Sequence, residues 1–140
     1  MALARFLQVS DLHLGRPFAL FLVDMDGLKE VNDRLGHAAG SDALRDLAEA
    51  LAGAVRTDDT VARIGGDEFA VLATVSGDPG ASILGGRLKD ALLARSLSAS
   101  VGWATYPHDA ERPDALFAAA DAGLYAAKRR LVRSLAGLRV

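Results

Sequence analysis

Three acidic residues in this sequence follow short apolar segments, where folding can bring them together. Asp67 and Glu68 are adjacent and come directly after Gly65 and Gly66, and Asp24 comes directly after the apolar run FALFLV. Adjacent carboxylates repel each other, and a cation or a proton between them relieves the repulsion. Carboxylate oxygens, completed by water and phosphate oxygens, suit Mg²⁺ or Mn²⁺. The alternative interpretations are a solvated acidic turn at Asp67 and an Asx turn at Asp24.

The segments around these acids predict a hairpin beside a buried strand. Residues 61–64 and 69–74 are apolar and of strand length, and the turn between them contains two glycines. Residues 18–23 form a continuous apolar run, as expected of a central strand that is buried on both faces. If the hairpin pairs beside this strand, the three carboxylates converge at one edge of the sheet. A two-metal site there can activate an attacking hydroxyl and neutralise a departing phosphate.

The remaining segments predict helices that flank a mostly antiparallel sheet, which is an α+β fold. Ser41 is well placed as the N-cap of the second helix, and Gly85-Gly86 weakens the third. Residues 2–14 are only loosely helical. The predicted elements are, in order, the strand over 18–23, a short helix ending at Leu35, a helix over 41–55, the hairpin, a turn at 77–80, a helix over 81–94, a strand over 97–105 and a helix from Pro113 to about Arg130.

Composition limits the class of protein. A length of 140 residues with 51% apolar residues fits one domain with a single core. A net charge of −2 gives no electrostatic footprint for a nucleic-acid polymer, and the lack of cysteine excludes disulfides and thiolate metal sites. No apolar run is long enough for a membrane span, and the N-terminus does not have the layout of a signal peptide. We therefore expect a cytoplasmic domain.

Three blocks of the sequence resemble the GGDEF family, the diguanylate cyclases. Residues 65–69 read GGDEF, residues 23–40 (VDMDGLKEVNDRLGHAAG) resemble the family's first strand and helix, and residues 120–128 (ADAGLYAAK) resemble its C-terminal helix. The resemblance implies a single GGDEF domain over residues 1–140 with the nucleotidyl-cyclase and polymerase palm version of the α+β sheet. The family's wide N-terminal turn, of the type Asp-x-Leu-Thr, is missing.

The resemblance also implies roles for individual residues. Asp24, the backbone carbonyl of Met25 and Asp67 would bind Mg²⁺ or Mn²⁺, and Glu68 would help to deprotonate a ribose hydroxyl. Gly65 and Gly66 would let the substrate approach the main chain closely. Three basic residues would contact phosphates: Lys29, Arg63 and Lys128. Lys29 would also be one of the catalytic residues. Without a ligand, each of the three would be an ordinary solvated base.

The resemblance implies that Asn32 and residue 41 contact the guanine base. The family usually has an aspartate where this sequence has Ser41, and a hydroxyl cannot accept two parallel N–H groups as a carboxylate does. The same change resembles a promiscuous subgroup that also uses ATP and makes mixed cyclic dinucleotides. Alternatively, Ser41 is only the helix N-cap.

An RxxD pattern formed by Arg56 and Asp59 stands at the family's distance before the hairpin. By resemblance, these residues and Arg87 would bind cyclic di-GMP as an inhibiting product. The alternative is a surface arginine–aspartate pair. A departure from the family occurs near the C-terminus, where Val132 stands in place of a phosphate-binding arginine.

The resemblance implies a condensation of two GTP into cyclic di-GMP by a homodimer, with one substrate on each subunit. Two alternatives stay open: a cyclase that also uses ATP, and a degenerate domain that binds GTP or cyclic di-GMP without catalysis. The intact motif at residues 65–69 favours an enzyme, whereas the missing N-terminal turn and Val132 favour the degenerate domain.

Overall fold

The structure, a computed structural model, describes residues 16–137, with side chains described as far as Ser134. This range contains four strands and four helices in the order that the sequence predicts. They are β1 (Phe18–Met25), α1 (Leu28–Leu35), α2 (His37–Ala54), β2 (Thr60–Arg63), β3 (Glu68–Thr74), α3 (Gly77–Ala94), β4 (Ala99–Tyr106) and α4 (Pro113–Gly137).

The strands form one sheet in the order β2-β3-β1-β4, and every pair of neighbours is antiparallel. The hairpin of β2 and β3 therefore lies beside β1, as predicted. β1 is a central strand whose residues from Ala19 to Val23 are fully buried, which explains its continuous apolar run. Its last residues carry Asp24 opposite Glu68 of β3 on one side and opposite Ser100 of β4 on the other.

Helices cover both faces of the sheet. Phe21 and Val23 of β1 pack with apolar residues of α2 and α3. Leu20 and Leu22 point to the opposite face, as alternation along a strand requires, and pack with apolar residues of α4. This α+β arrangement confirms the predicted palm-like fold.

The backbones of α4 and the sheet come close together at Gly102 of β4. A Cβ atom at Gly102 would overlap the backbone of Gly123 and Leu124, so a side chain there would push α4 away. Glycine is used where two backbones must come this close. The crossing fixes the height of α4 above β4, and Lys128 lies a little more than one turn further along the same helix.

Three predicted boundaries were wrong. α2 begins at His37 because Gly36, at φ 90°, ends α1 and starts α2, so Ser41 lies inside the helix and is not its N-cap. Residues 77–80 form the first turn of α3 rather than a separate turn, since proline is tolerated in the first turn of a helix. α4 continues past Arg130 to Gly137.

The loosely helical pattern over residues 2–14 lies outside the described residues. Among the helices between residues 16 and 137, none combines the length and the apolar character that crossing a lipid bilayer requires.

Candidate active site

The end of β1 and the hairpin turn are joined by backbone hydrogen bonds. The N–H of Met25 donates to the carbonyl of Asp67 at 3.1 Å, and the N–H of Ile64 donates to the carbonyl of Glu68 at 2.9 Å. The first bond continues the β1–β3 ladder to the turn, and the second closes the β2–β3 hairpin. Asp24, Asp67 and Glu68 therefore lie at one edge of the sheet, where the sequence predicted that they would converge.

Arg63 is exposed and donates hydrogen bonds to two carbonyls of the hairpin turn. Its Nε donates to the carbonyl of Gly65 at 3.1 Å, and its Nη2 donates to the carbonyl of Gly66 at 2.6 Å. The guanidinium therefore satisfies two carbonyls of a turn in which the following residue is Asp67. The Nε and Nη2 groups of Arg63 are thus bonded to the turn and not to a phosphate. The phosphate contact suggested by the sequence stays a prediction.

Asp24 has one paired oxygen and one unpaired oxygen. Lys128 Nζ lies 3.0 Å from Asp24 Oδ2, whereas Oδ1 is buried and has no hydrogen-bond partner. Burial raises the pKa of Asp24, and nearby Asp67 adds to this shift, while Lys128 opposes it. A buried carboxylate oxygen without a donor is costly, and a bound cation would remove that cost.

Glu68 has a pKa above its ordinary value. Burial raises its pKa, and the negative charges of Asp24, Asp121 and Asp67 raise it further. A carboxylate whose pKa is raised is a stronger base than an exposed one. The position of Glu68 opposite Asp24 thus gives it a chemical property that a solvated acidic turn would lack.

Lys128 bridges two carboxylates at the sheet edge. Its Nζ lies 3.0 Å from Asp24 Oδ2 and 3.3 Å from Asp26 Oδ1. Burial alone would lower the pKa of Lys128, but the hydrogen bonds and charges of Asp24 and Asp26 outweigh burial and raise it. The ammonium group therefore stays charged beside the acids.

Asp26 is a residue that the sequence interpretation missed. Its carboxylate accepts hydrogen bonds from Ser98 at 3.3 Å, from Ser100 at 3.0 Å and from Lys128 at 3.3 Å. The available signal was its spacing of two from Asp24 at a strand end, because alternate residues of a strand point to the same face.

The residues at this edge fit a divalent cation. The unpaired Oδ1 of Asp24 is a free buried oxygen ligand, and hard carboxylate and carbonyl oxygens are the ligands that Mg²⁺ prefers. The three carboxylates do not form a tight cage, as expected of like charges that repel each other. Among residues 16–137, the one set of three metal-ligating side chains with all ligand atoms within 4.8 Å of one another is elsewhere, at Asp78, His108 and Asp109, all exposed.

The loop after β1 leads into a helix whose N-terminus is open. Gly27, at φ 74°, is the N-cap of α1 and has no capping side chain, and the helical hydrogen bonds begin with the N–H of Val31 to the carbonyl of Gly27. The first N–H groups of α1 are thus free of helical partners. Such an N-terminus favours anions such as phosphate, and Lys29 lies exposed in its first turn.

The two predicted base-contacting residues lie on adjoining helices on either side of Gly36. The amide of Asn32 contacts Gly40, where an added Cβ would overlap it. Ser41 is exposed and lines a cavity of about 400 Å³. The other residues of this cavity come from α2 and the hairpin: Leu44, Arg45, Ala48, Val61, Arg63 and Phe69.

A second cavity, of about 540 Å³, contains the predicted product-binding residues. Arg56, Asp59 and Arg87 line it together with Arg16, which the sequence interpretation did not single out. The backbone N–H of Arg56 donates to Asp59 Oδ2 at 2.9 Å, so the carboxylate is fixed by the backbone rather than by the guanidinium. Three arginines around one cavity suit an anionic ligand with several phosphates.

The cavity lined by Arg16, Arg56 and Arg87, called here the arginine cavity, is separated from the acidic edge along β1. Pro17 and Thr74, at the start of β1 and the end of β3, line the arginine cavity, whereas Asp24 lies near the other end of β1. A strand of this length separates its ends by about 20 Å. A ligand in the arginine cavity would therefore not touch the acidic edge of the same subunit.

Comparison with known proteins identifies the family. The family described as "Diguanylate cyclase, GGDEF domain" matches residues 2–133. The chain belongs to the GGDEF-domain family, as its sequence motifs predicted. Diguanylate cyclases of this family generally use a divalent metal ion.

A curated relative and two solved structures are similar to this chain. The diguanylate cyclase TpbB of Pseudomonas aeruginosa is 42% identical over 125 residues, which cover 80% of this chain and 28% of that protein. The chain thus spans under a third of that relative's length. The crystal structure of the TpbB GGDEF domain has a TM-score of 0.79 and 37% identity, and covers 91% of this chain and 85% of that one. The GGDEF domain of DgcB from Caulobacter crescentus, in complex with c-di-GMP, has a TM-score of 0.72 and 27% identity, covering 87% and 78% of the two chains.

Proposed function

We propose that this chain is a diguanylate cyclase domain, which condenses two GTP into cyclic di-GMP and releases two pyrophosphates. The observation that carries the proposal is the pairing of Asp24 with Glu68 at the sheet edge, with a buried oxygen of Asp24 left unpaired. The family membership supports the same reaction.

The acids at the edge divide the chemistry between them. Asp24, the carbonyl of Met25 and Asp67 would hold Mg²⁺ or Mn²⁺, which supplies positive charge beside the reacting phosphate. Glu68 accepts the proton of the ribose 3′-hydroxyl, a role that suits the direction of its pKa shift. Arg63 keeps the turn in place by binding the carbonyls of Gly65 and Gly66.

The triphosphate would extend from the acidic edge to the open end of α1. The free N–H groups of the first turn and the side chain of Lys29 offer positive potential there. Lys128 adds a charged ammonium at the mouth of the site. Fixing the α-phosphate in line with the incoming hydroxyl accounts for much of the catalysis in phosphoryl-type transfers.

Each domain holds one substrate, so the reaction needs two copies of the chain facing each other. The 3′-oxygen of each GTP attacks the α-phosphorus of the other GTP and forms a 3′–5′ phosphodiester bond. Each step breaks one α–β phosphoanhydride bond, and pyrophosphate leaves. We therefore propose a homodimer as the catalytic unit.

One alternative is a cyclase that accepts ATP in addition to GTP. Ser41 is exposed and is not a helix N-cap, so its side chain is free to contact a base. It offers one oxygen where a carboxylate would accept two N–H groups of guanine. This observation favours a relaxed preference for guanine, with cyclic GMP–AMP as an additional product.

The arginine cavity is proposed as the site where cyclic di-GMP inhibits the enzyme. Arg56, Arg87 and Arg16 surround it, and guanidinium groups bind phosphates strongly. The same cavity supports a different function, that of a domain which binds cyclic di-GMP without catalysis, because the cavity does not depend on the acidic edge.

Mass spectrometry of the reaction products tests these alternatives. The chain is incubated at high concentration with Mg²⁺ and GTP, ATP or both, and a parallel sample is fused to a coiled coil that forces dimerisation. Asp67→Asn is the variant expected to be inactive. Asp90→Asn, the same substitution at an exposed position of α3, is the control expected to stay active. Formation of cyclic di-GMP by the wild type and by Asp90→Asn supports the proposal. Formation of cyclic GMP–AMP as well shows that ATP is also a substrate. If neither form of the wild type makes a cyclic dinucleotide, the non-catalytic function is favoured.

A further inference from the structure

Asp26 lies just after β1 and forms hydrogen bonds with three other side chains. Its Oδ1 accepts from Ser100 at 3.0 Å and from Lys128 at 3.3 Å, and its Oδ2 accepts from Ser98 at 3.3 Å. The backbone N–H of Asp26 donates to the carbonyl of Ser98 at 3.0 Å. The side chain is only 15% exposed, so these contacts fix both its position and its orientation.

Asp24 and Asp26 differ in what their oxygens can still bind. Asp24 keeps one buried oxygen without a partner, whereas both oxygens of Asp26 already accept hydrogen bonds from Ser100 of β4, from Lys128 of α4 and from Ser98, which directly precedes β4. Ser100 is 5% exposed and lies on β4 directly opposite Asp24. Asp24 is thus the carboxylate with room for a cation, and Asp26 is the one that is already committed to protein groups.

This difference decides what becomes of Lys128 when Asp24 takes part in the reaction. A cation on Asp24 weakens the attraction between Asp24 and the ammonium of Lys128, because the two cations repel each other. The lysine stem is long and flexible, so the ammonium would move to solvent unless another anion held it. Asp26, itself held by Ser98 and Ser100, is the remaining carboxylate in contact with it.

We propose that Asp26 is a positioning residue that keeps the ammonium of Lys128 at the mouth of the active site when Asp24 is occupied. Asp26 touches neither the metal nor the nucleotide, and acts through Lys128, whose ammonium contacts the triphosphate. This inference rests on the proposed function, because it assumes that a nucleoside triphosphate binds at this edge.

A double-mutant cycle on nucleotide binding tests the inference. Calorimetry with Mg²⁺ and α,β-methylene-GTP, which cannot react, measures the dissociation constants of the wild type, Asp26→Asn, Lys128→Met and the double variant. We expect Asp26→Asn to weaken binding on the order of tenfold, and to add less than twofold once Lys128 is methionine, because residues that act through one contact are not additive. Ser100→Ala should give a smaller loss that also disappears beside Lys128→Met. Asp90→Asn, which removes an exposed aspartate of α3, should bind as the wild type does.

Unfolding in urea, without metal or nucleotide, provides a measurement that does not depend on the ligand. The unfolding equilibrium constants of the wild type, Asp26→Asn, Lys128→Met and the double variant should show a coupling of about 3- to 30-fold between Asp26 and Lys128. An equal loss of nucleotide affinity from Asp26→Asn in both backgrounds, or no loss at all, overturns the positioning role. A wild type that does not bind the analogue overturns the proposed function together with this inference, whereas additivity in a wild type that binds overturns the inference alone.

Discussion

Asp24 of β1 lies directly opposite Glu68 of β3, at the position where the antiparallel ladder meets the hairpin turn. The register is fixed by the apolar residues that follow, since a slip by one residue would move Phe69 and Val71 from the α2 and α3 side of the sheet to the α4 side, where Ala70 and Leu72 pack. The burial of the core thus places two carboxylates side by side. Repulsion between the two carboxylates opposes folding, whereas a metal ion bound to Asp24 and a proton accepted by Glu68 would relieve it.

Glu68→Gln should stabilise the metal-free protein and abolish cyclisation. The pKa of Glu68 is raised by burial and by Asp24, Asp121 and Asp67, so its ionised form is less favourable in the folded state than in the unfolded state. The penalty is present at pH 7 and is relieved as the pH falls through the raised folded-state pKa. We expect an increase in Tm of about 2 °C at pH 7, which shrinks on acidification. Scanning calorimetry measures Tm, and Glu111→Gln, which replaces an exposed glutamate, is the control. Equal changes of Tm in the two variants would contradict the prediction.

Asp24→Asn should remove the stabilisation that Mg²⁺ and a GTP analogue confer together. A ligand at 100 times its dissociation constant stabilises the folded state by about 2.7 kcal/mol, and an amide is a much weaker ligand for Mg²⁺ than a carboxylate is. Thermal unfolding with and without both ligands measures the effect. Asp114→Asn, at an exposed position of α4, should keep the full shift in Tm. An Asp24→Asn protein with an unchanged shift would place the ligands elsewhere.

Ser41→Asp should sharpen the preference for GTP over ATP. A carboxylate can accept two N–H groups of guanine, and a bidentate base contact discriminates by about 1–3 kcal/mol in DNA readout. The ratio of kcat/KM for GTP and ATP should therefore rise by about 5- to 150-fold. Because Ser41 is exposed and does not cap α2, its removal in the control Ser41→Ala should change stability by less than about 0.5 kcal/mol. An unchanged ratio in Ser41→Asp would exclude this position from base selection.

Arg56→Ala should weaken the binding of cyclic di-GMP by about tenfold or more, since a charge-assisted phosphate contact is lost from the arginine cavity. Calorimetry on the product-free protein measures the affinity, and activity assays in added cyclic di-GMP measure the inhibition. Arg112→Ala removes an exposed arginine far along the sequence from this cavity and serves as the control. Equal affinities for the two variants would show that the inhibitory site was assigned wrongly.

Gly85 and Gly86 are adjacent in α3, yet alanine should affect stability in opposite directions at the two positions. A Cβ at Gly85 would lie 2.5 Å from the Trp103 ring, whereas a Cβ at Gly86 would meet nothing within 4 Å. We expect Gly85→Ala to cost about 1–3 kcal/mol through overpacking and Gly86→Ala to gain about 0.5–1 kcal/mol through helix propensity. Urea unfolding measures both, and a loss of stability in Gly86→Ala would contradict the expected gain.

The sequence predicted the class of fold and the place of the acids because both depend on patterns of short range. The apolar run of β1 and the glycine-containing hairpin specify their strands locally, and the order of the elements follows. The difference between Gly85 and Gly86 could not be predicted, since it depends on Trp103 in another strand. Asp26 was missed for the same reason: its partners Ser98, Ser100 and Lys128 come together only in the folded chain. The error at Ser41 arose at Gly36, whose positive φ lets two helices share one residue.

That shared glycine places the two proposed base-contacting residues outside the structural core. Asn32 and Ser41 lie on the two helices that Gly36 joins, and neither belongs to the buried core that holds the sheet. If residue 41 contacts the base, as proposed, mutations there would change which nucleotide is accepted while the acidic edge and its register stay as they are. Under that proposal, substrate choice could change at residue 41 at little cost to the free energy of folding.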